Sequence, residues 1–264
     1  MLQSSYKPLS ENMQLSHWLI NEIAHRMMDK LNFIRLKPKK ILLSGFWPKE
    51  SIEHLKTKYQ AKIDYQLPNN NLMSQDQLNL KNITYLNSAL ATLIEQKKSY
   101  DLVLSNLFLQ QFENAKTELK LLKKLLKKEG FLSFSSIGPQ TLFQSADKNQ
   151  IPPNWKDMHD LGDDMRALSF KDAVIDSERL ELTYQSYSDI FRNDLLSLLP
   201  LLALDHLDDQ TLEYIFKRLK KIQALYYLPI EIVYGQSFQS ETAIQTKKGN
   251  ETYIDLDQLL KKRD

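Results

Sequence analysis

Hydrophobic and polar positions along the chain follow two periods in turn. Short apolar runs bounded by polar residues predict strands at 40–43, 62–66, 83–86, 100–105, 131–135, 178–184 and 230–234. Apolar residues spaced three and four apart predict helices at 8–34, 48–59, 90–96, 113–128 and 158–168, with a helical insert over about 186–226. Strands and helices that alternate in this way favour an α/β fold with a largely parallel sheet and helices on both faces.

The organisation of the chain predicts a single domain over 1–264, because no internal repeat or low-complexity linker interrupts these elements. Within it we expect an N-terminal helical lid at 1–35, which packs over the ligand cleft, and a Rossmann-like core at 36–184. A helical insert at 185–228 and a last strand with a C-terminal tail at 229–264 complete the expected domain.

Composition narrows the class of protein. A formal net charge of +2 argues against a dedicated nucleic-acid binder. The chain has no cysteine, which excludes disulfides and thiolate metal sites, and its dispersed histidines predict no metal site. We find no signal peptide and no apolar run near the roughly 20 residues of a membrane span, so we expect a cytoplasmic protein without a membrane partner.

The turn after the first predicted strand is typical of a nucleotide-type ligand site. A strand, a turn and a helix start present backbone N–H groups to the anionic end of a ligand. Such a turn normally holds several glycines, and here it holds only Gly45. Trp47 and Lys49 stand where small residues are expected.

Five later segments, taken in order, indicate a family. They lie at 100–110, 134–142, 158–163, 176–184 and 228–235. In this order they resemble the class I S-adenosylmethionine-dependent methyltransferases, and more closely the malonyl-acyl-carrier-protein O-methyltransferases of biotin synthesis. With the fit of the N-terminal segments, the resemblance extends over nearly the whole chain.

The resemblance implies a seven-strand sheet with an antiparallel last strand and a helical insert before it. It also implies S-adenosylmethionine as cofactor, methyl transfer to a malonyl-thioester carboxylate, and an acyl carrier protein as partner. The cofactor-binding residues implied are Gly45, Ser105, Asn106 and Leu107. The substrate-binding residues are Gly138, Arg179 and Arg192, and no catalytic residue is identified.

Departures from the family pattern leave an alternative open. Leu43 stands where the family has an acid, and the second strand carries only Asp64, two positions before the expected ribose-binding acid. Ser88-Ala89 replaces an acid near the adenine. Cofactor binding is therefore expected to be weak or absent, and the alternative is an inactive methyltransferase-fold protein that acts as a binding or scaffold partner.

Several candidate residues also have ordinary structural interpretations. Ser105 and Asn106 are good helix N-caps, and Arg179 and Arg192 are typical surface residues. Two basic faces, at 120–128 and at 217–221 near Tyr226 and Tyr227, are suited either to docking an acidic carrier protein or to simple solvation.

Overall fold

The computed structural model describes residues 15–67, 80–86, 88–142, 155–203 and 208–239, together with the backbone of 246–248 and 251–253. The helices are α1 (Leu15–Leu31), α2 (Lys49–Tyr59), α3 (Leu90–Glu95), α4 (Ala115–Leu125), α5 (Met158–Ala167), α6 (Asp189–Leu202) and α7 (Asp209–Arg218). The strands are β1 (Lys40–Gly45), β2 (Lys62–Gln66), β3 (Ile83–Leu86), β4 (Tyr100–Asn106), β5 (Leu126–Ile137), β6 (Lys171–Tyr184), β7 (Lys220–Ile222), β8 (Leu225–Phe238), β9 (Thr246–Lys248) and β10 (Glu251–Tyr253). The N-terminal part of the predicted first helix lies outside the described residues.

The main sheet has the order β3-β2-β1-β4-β5-β8-β6. Strands β1 to β5 pair in parallel, whereas β8 is antiparallel to both β5 and β6. The predicted α/β class, with its mostly parallel sheet and antiparallel last strand, is confirmed. Short β7 pairs beside the start of β8 and adds an eighth strand that the pattern did not predict.

The strands form because their apolar residues are buried on both faces of the sheet, as in other parallel sheets. Ile41 and Leu43 of β1 belong to a hydrophobic cluster with α1, α2, α6 and α7, and Leu42 belongs to a second cluster with α3, α4 and α5. Alternation along one strand therefore divides the core into two layers. The antiparallel hairpin β9-β10 forms a separate sheet.

Several predicted boundaries were wrong, among them the start of the fifth strand, which is Leu126 and not 131, and the end of the helical insert, where residues 220–222 form β7 and β8 starts at Leu225. The helix predicted at 113–128 covers only Ala115–Leu125, because Leu126 pairs with Tyr100 and already belongs to β5. The last two long strands begin earlier than predicted, at Lys171 and Leu225. The first residues of β6 are mostly exposed although they include Ala173, Val174 and Ile175, and their pairing with β8 makes them a strand.

The insert lies between β6 and β8, as the resemblance implies. Hydroxyl and carboxylate side chains cap its helices: Ser188 Oγ accepts from the Phe191 N–H, and Asp208 Oδ1 accepts from the Thr211 N–H. The division of the chain into one domain with four parts stays a prediction.

Candidate functional site

The predicted cofactor residues meet at the carboxyl edge of β1 and β4. In the parallel register Ser44 pairs with Ser105, and Gly45 pairs with Asn106. Leu107 follows at once, with a φ of 49°. Ligands of open α/β sheets bind at this edge, so the structure brings all four candidates to the expected place.

Gly45 is required by a close approach of two turns. Its φ is +83°, and a Cβ built on it would lie 2.3 Å from the Asn106 carbonyl oxygen and 2.7 Å from the Phe108 Cβ. The Phe46 N–H donates to that same carbonyl at 2.9 Å. A side chain at position 45 would therefore force the β1 turn away from the β4 turn.

Asn106 uses its side chain to hold three elements together. Its Nδ2 donates to the carbonyl oxygens of Phe46, at 2.5 Å, and Ile20, at 3.4 Å. Its Oδ1 accepts from the Ser135 hydroxyl at 2.8 Å. The 3₁₀ turn that follows has Phe108 at its N-cap, without a side-chain cap bond, so the helix-cap interpretation of Asn106 was wrong.

The Ser105 hydroxyl is buried and has no hydrogen-bond partner. Its register neighbour Ser44 is engaged, since the Ser44 hydroxyl donates to Gln66 Oε1 at 3.0 Å. Gln66 Nε2 in turn donates to the Ser88 carbonyl at 3.0 Å. The Ser105 hydroxyl is thus a buried polar group without a hydrogen-bond partner, next to Ser44 and Gln66, whose side chains are hydrogen-bonded.

Trp47 fills the turn where the family resemblance places a glycine. The side chain is fully buried, and its indole N–H donates to the Ser44 carbonyl at 3.0 Å. The Trp47 backbone N–H donates to the Tyr65 hydroxyl at 3.1 Å, and that hydroxyl donates to the Gly45 carbonyl at 2.9 Å. Burial raises the pKa of Tyr65. The turn is thus closed by side chains of its own protein.

Lys49 does not occupy the cleft. It is the exposed first residue of α2, and Pro48 caps that helix without a side-chain hydrogen bond. Because Lys49 is exposed, it adds no bulk inside the turn, and the expectation that it would do so was wrong.

Asp64 is committed to partners away from the carboxyl edge. Its Oδ2 accepts from the Tyr100 hydroxyl at 2.8 Å and lies 3.5 Å from Lys98 Nζ and 3.6 Å from Lys40 Nζ. The residue at the carboxyl end of β2 is Gln66, a neutral amide. The family's ribose-binding acid therefore has no carboxylate equivalent here.

Gly138 and Arg179 both flank a residue that sequence reasoning missed, Glu231. A Cβ on Gly138 would lie 2.4 Å from Glu231 Oε2, and that carboxylate accepts from the Gln140 N–H at 2.8 Å. Arg179 is the β6 register neighbour of Glu231. In the sequence, Glu231 is the one acidic residue within the apolar run at 230–234 that predicts a strand, and that pattern could have singled it out.

The two candidate arginines do not converge. Arg179 pairs with Glu181 at 2.8 Å on β6, and Arg192 pairs with Asp209 at 2.6 Å in the insert. Strand alternation places Arg179 on the sheet face opposite Glu178, which binds Arg26 of α1. Their role in substrate binding stays a prediction.

Helices α1 and α6 lie over the Asn106 turn. Ser16 of α1 donates its backbone N–H to the Ser197 hydroxyl of α6 at 3.2 Å. Gln110 Nε2 donates to the carbonyl oxygens of Leu107 and Leu201, both at 2.8 Å. The insert is thereby joined to the candidate site by direct hydrogen bonds.

The backbone frame of this edge fits a nucleotide-type cofactor, but its side chains as placed do not. The turn holds an indole instead of open backbone, and the position of the ribose acid holds an amide already bonded to Ser44 and Ser88. Our hypothesis is that Trp47 must leave the turn before a cofactor of the kind implied by the resemblance can bind.

No family model matches this chain. The malonyl-acyl-carrier-protein O-methyltransferase 1 of Coxiella burnetii is 26% identical over 257 residues, which cover 91% of this chain and 88% of that protein. The enzyme of that name from Legionella pneumophila is 24% identical, over 91% of this chain and 90% of its own length. The resemblance to malonyl-acyl-carrier-protein O-methyltransferases is confirmed as a similarity in sequence.

Solved structures show the same fold at low sequence identity. A phosphoethanolamine N-methyltransferase of Haemonchus contortus, solved with S-adenosylhomocysteine, is 10% identical, with a TM-score of 0.54 over 86% of this chain and 56% of its own. A Bacillus halodurans protein provisionally called a methyltransferase also has a TM-score of 0.54, over 83% of this chain and all of its own. The chain therefore has a methyltransferase fold.

Two kinds of feature are absent from the part of the chain that the structure describes. No helix there has the length and hydropathy needed to cross a membrane. Within the same part of the chain, no group of three or more potential metal ligands comes together.

Proposed function

We propose that this chain is a carboxyl O-methyltransferase acting on the malonyl thioester of an acyl carrier protein in biotin synthesis, with S-adenosylmethionine as methyl donor. The observation that carries the proposal is its similarity, over 91% of the chain, to proteins of that name from two organisms. The methyltransferase fold supports it, as does the position of Gly45 and Asn106 at the ligand-binding edge of the sheet.

The chemistry suits a site without a catalytic dyad. A malonyl carboxylate is ionised at neutral pH, since carboxyl pKa values lie near 4, so it needs no general base to become a nucleophile. Positioning then supplies most of the rate enhancement. Arg179 and Arg192, which do not converge, are alternative proposed partners of the carboxylate, because a guanidinium binds a carboxylate bidentately. Substrate binding there displaces Glu181 or Asp209 from its present ion pair.

The closed turn sets the expected affinity for the cofactor. Replacing the ribose-binding acid with the Gln66 amide removes charge-assisted hydrogen bonds worth about 1.5–3 kcal/mol, or roughly tenfold to a hundredfold in affinity. Displacing Trp47 weakens binding further, since only the open fraction of the protein binds. We expect S-adenosylmethionine to bind more weakly than in an intact site.

A second candidate function is a non-catalytic methyltransferase-fold protein that binds the carrier protein. The observation that favours it is the turn itself, in which Trp47, Tyr65 and Asn106 satisfy one another without a ligand. In that case the turn never opens, and the fold serves as a binding scaffold.

Two measurements on the intact chain separate the candidates. Calorimetric titration with S-adenosylmethionine and S-adenosylhomocysteine tests the cofactor site, and transfer of a labelled methyl group to malonyl-acyl carrier protein tests the reaction. Weak binding with methyl transfer supports the enzyme. No heat at millimolar ligand and no transfer supports the scaffold, and submicromolar binding contradicts our interpretation of the turn.

A further inference from the structure

The insert between β6 and β8 carries an exposed apolar surface. Six large hydrophobic residues are exposed in the described chain, and four of them lie in the insert: Tyr187, Ile190, Tyr214 and Ile222. Ile190 is 69% exposed and Ile222 is 41% exposed. The four residues lie before α6, in α6, in α7 and in β7, and their concentration in one insert indicates a surface that meets a partner.

Lysines without carboxylate partners accompany this surface. All three residues of β7 are exposed, and neither Lys220 nor Lys221 forms an ion pair with any described carboxylate. Nearby cations are already neutralised, since Lys217 pairs with Glu213 at 2.8 Å. The two β7 lysines thus leave uncompensated positive charge beside apolar side chains.

A stack of rings connects the two parts of this surface. Tyr187 contacts Phe216 at 5.6 Å between ring centroids, Phe216 contacts Tyr226 at 4.2 Å, and Lys221 Nζ lies 4.8 Å over the Tyr226 ring. We call Tyr187, Ile190, Lys220, Lys221 and Ile222 the insert face; within β7 the Lys221 side chain lies over Tyr226, and Lys220 and Ile222 flank it on the other side of the strand. The ring contacts hold the Tyr187 and Lys221 side chains against Phe216 and Tyr226, so these two side chains lose little entropy when a partner binds.

The other basic face, on α4, also has two lysines without a described ion pair, Lys120 and Lys124, but it lacks the exposed apolar residues. On α4, Lys116 pairs with Asp164, and Lys123 is buried and donates to the carbonyls of Leu168 and Ser169. Lys120 and Lys124 remain exposed there, but no exposed large apolar residue lies on that helix. Helix α4 also packs in the cluster on the opposite face of the sheet from α6.

We infer that the insert face is the docking surface for an acidic acyl carrier protein. This inference rests on the proposed function for its choice of partner, but not on catalysis. The lysines attract acidic side chains, and the apolar residues supply the buried contact. Gln110 Nε2 donates to the carbonyls of Leu107 and Leu201, so the insert that carries this face is hydrogen-bonded to the candidate site.

The test compares two charge reversals in the intact chain. Lys220→Glu/Lys221→Glu alters the insert face, and Lys120→Glu/Lys124→Glu is the matched control on α4. Binding of enzymatically prepared malonyl-acyl carrier protein is measured by interferometry at low and at physiological salt. We expect at least a tenfold rise in Kd and a weaker salt dependence for the insert variant, and less than a twofold change for the control.

Further measurements distinguish loss of docking from loss of folding or of catalysis. Thermal midpoints check folding, and Ile222→Ser tests the apolar part and should also weaken binding. Methylation of malonyl-coenzyme A, which lacks the carrier, should be unchanged in the insert variant. Three results would overturn the docking surface. The first is an equal loss of carrier affinity in both charge variants, and the second is no loss in the insert variant. The third is a wild-type dimer that the insert variant dissociates. Absence of methyl transfer from either thioester, with carrier binding intact, refutes only the proposed enzyme.

Discussion

Trp47 offers the sharpest test of how the β1 turn works. The change Trp47→Ala removes a fully buried indole and its hydrogen bond to the Ser44 carbonyl. Truncating a buried tryptophan costs about 3–5 kcal/mol, and the unpaired carbonyl adds about 1 kcal/mol or more. In a chain of this size each kcal/mol lowers the thermal midpoint by about 2–4 °C, so a loss of about 4–6 kcal/mol should lower it by about 8–24 °C.

The same change should improve cofactor binding. In the wild type the ligand binds only after the indole has left the turn, and that cost appears in the apparent affinity. Without the indole, the backbone N–H groups of the turn become accessible to an anion. We expect S-adenosylmethionine to bind Trp47→Ala at least about tenfold more tightly than wild type, which corresponds to about 1.4 kcal/mol.

Differential scanning fluorimetry and calorimetry measure the two effects on the same samples. Trp155→Ala is a matched control, because Trp155 is also buried and donates its indole N–H, at 3.1 Å, to the Leu202 carbonyl outside the turn. It should lose similar stability without a gain in affinity. Lys49→Gly should leave affinity unchanged, since Lys49 is exposed. A less stable Trp47→Ala with unchanged affinity would refute the blocked-turn hypothesis and leave Trp47 as core packing alone.

Three further substitutions test individual features of the structure. Gly45→Ala should lower the free energy of unfolding by more than about 2 kcal/mol, because its Cβ would lie 2.3 Å from the Asn106 carbonyl oxygen; a thermal midpoint equal to wild type contradicts this. Ser105→Ala should raise stability by about 1 kcal/mol in denaturant titration, since the buried hydroxyl has no partner, and a loss would mean that it is bonded after all. Burial raises the pKa of Glu118 to about 7, above its ordinary 4.5. Between these two pH values the folded state holds a proton that the unfolded state releases, so the free energy of unfolding falls as pH rises from about 4.5 to 7. Glu118→Gln should therefore gain in thermal midpoint over wild type at pH 8 but not at pH 4, and a pH-independent difference between the two proteins rules this out.

The sequence alone predicted seven strands of the main sheet and brought the candidate cofactor residues to one edge of it. Strands β2 and β3 have the predicted bounds, because their apolar runs end sharply at polar residues. The meeting of Gly45 with Asn106 followed from a general rule, that parallel strands bring their carboxyl ends to one edge. Such features depend on local pattern and chain connectivity, and both are present in one sequence.

Only the tertiary structure decided what the side chains at that edge do. The sequence did not show where the Trp47 side chain lies, and the structure places it buried within the turn, with its indole N–H bonded to the Ser44 carbonyl and its backbone N–H bonded to the Tyr65 hydroxyl. The strand at β7 and the early start of β6 likewise arise from pairing with β8. In each case the deciding partner is a strand or side chain brought close by the fold, and the residue's own local pattern carries no record of that partner.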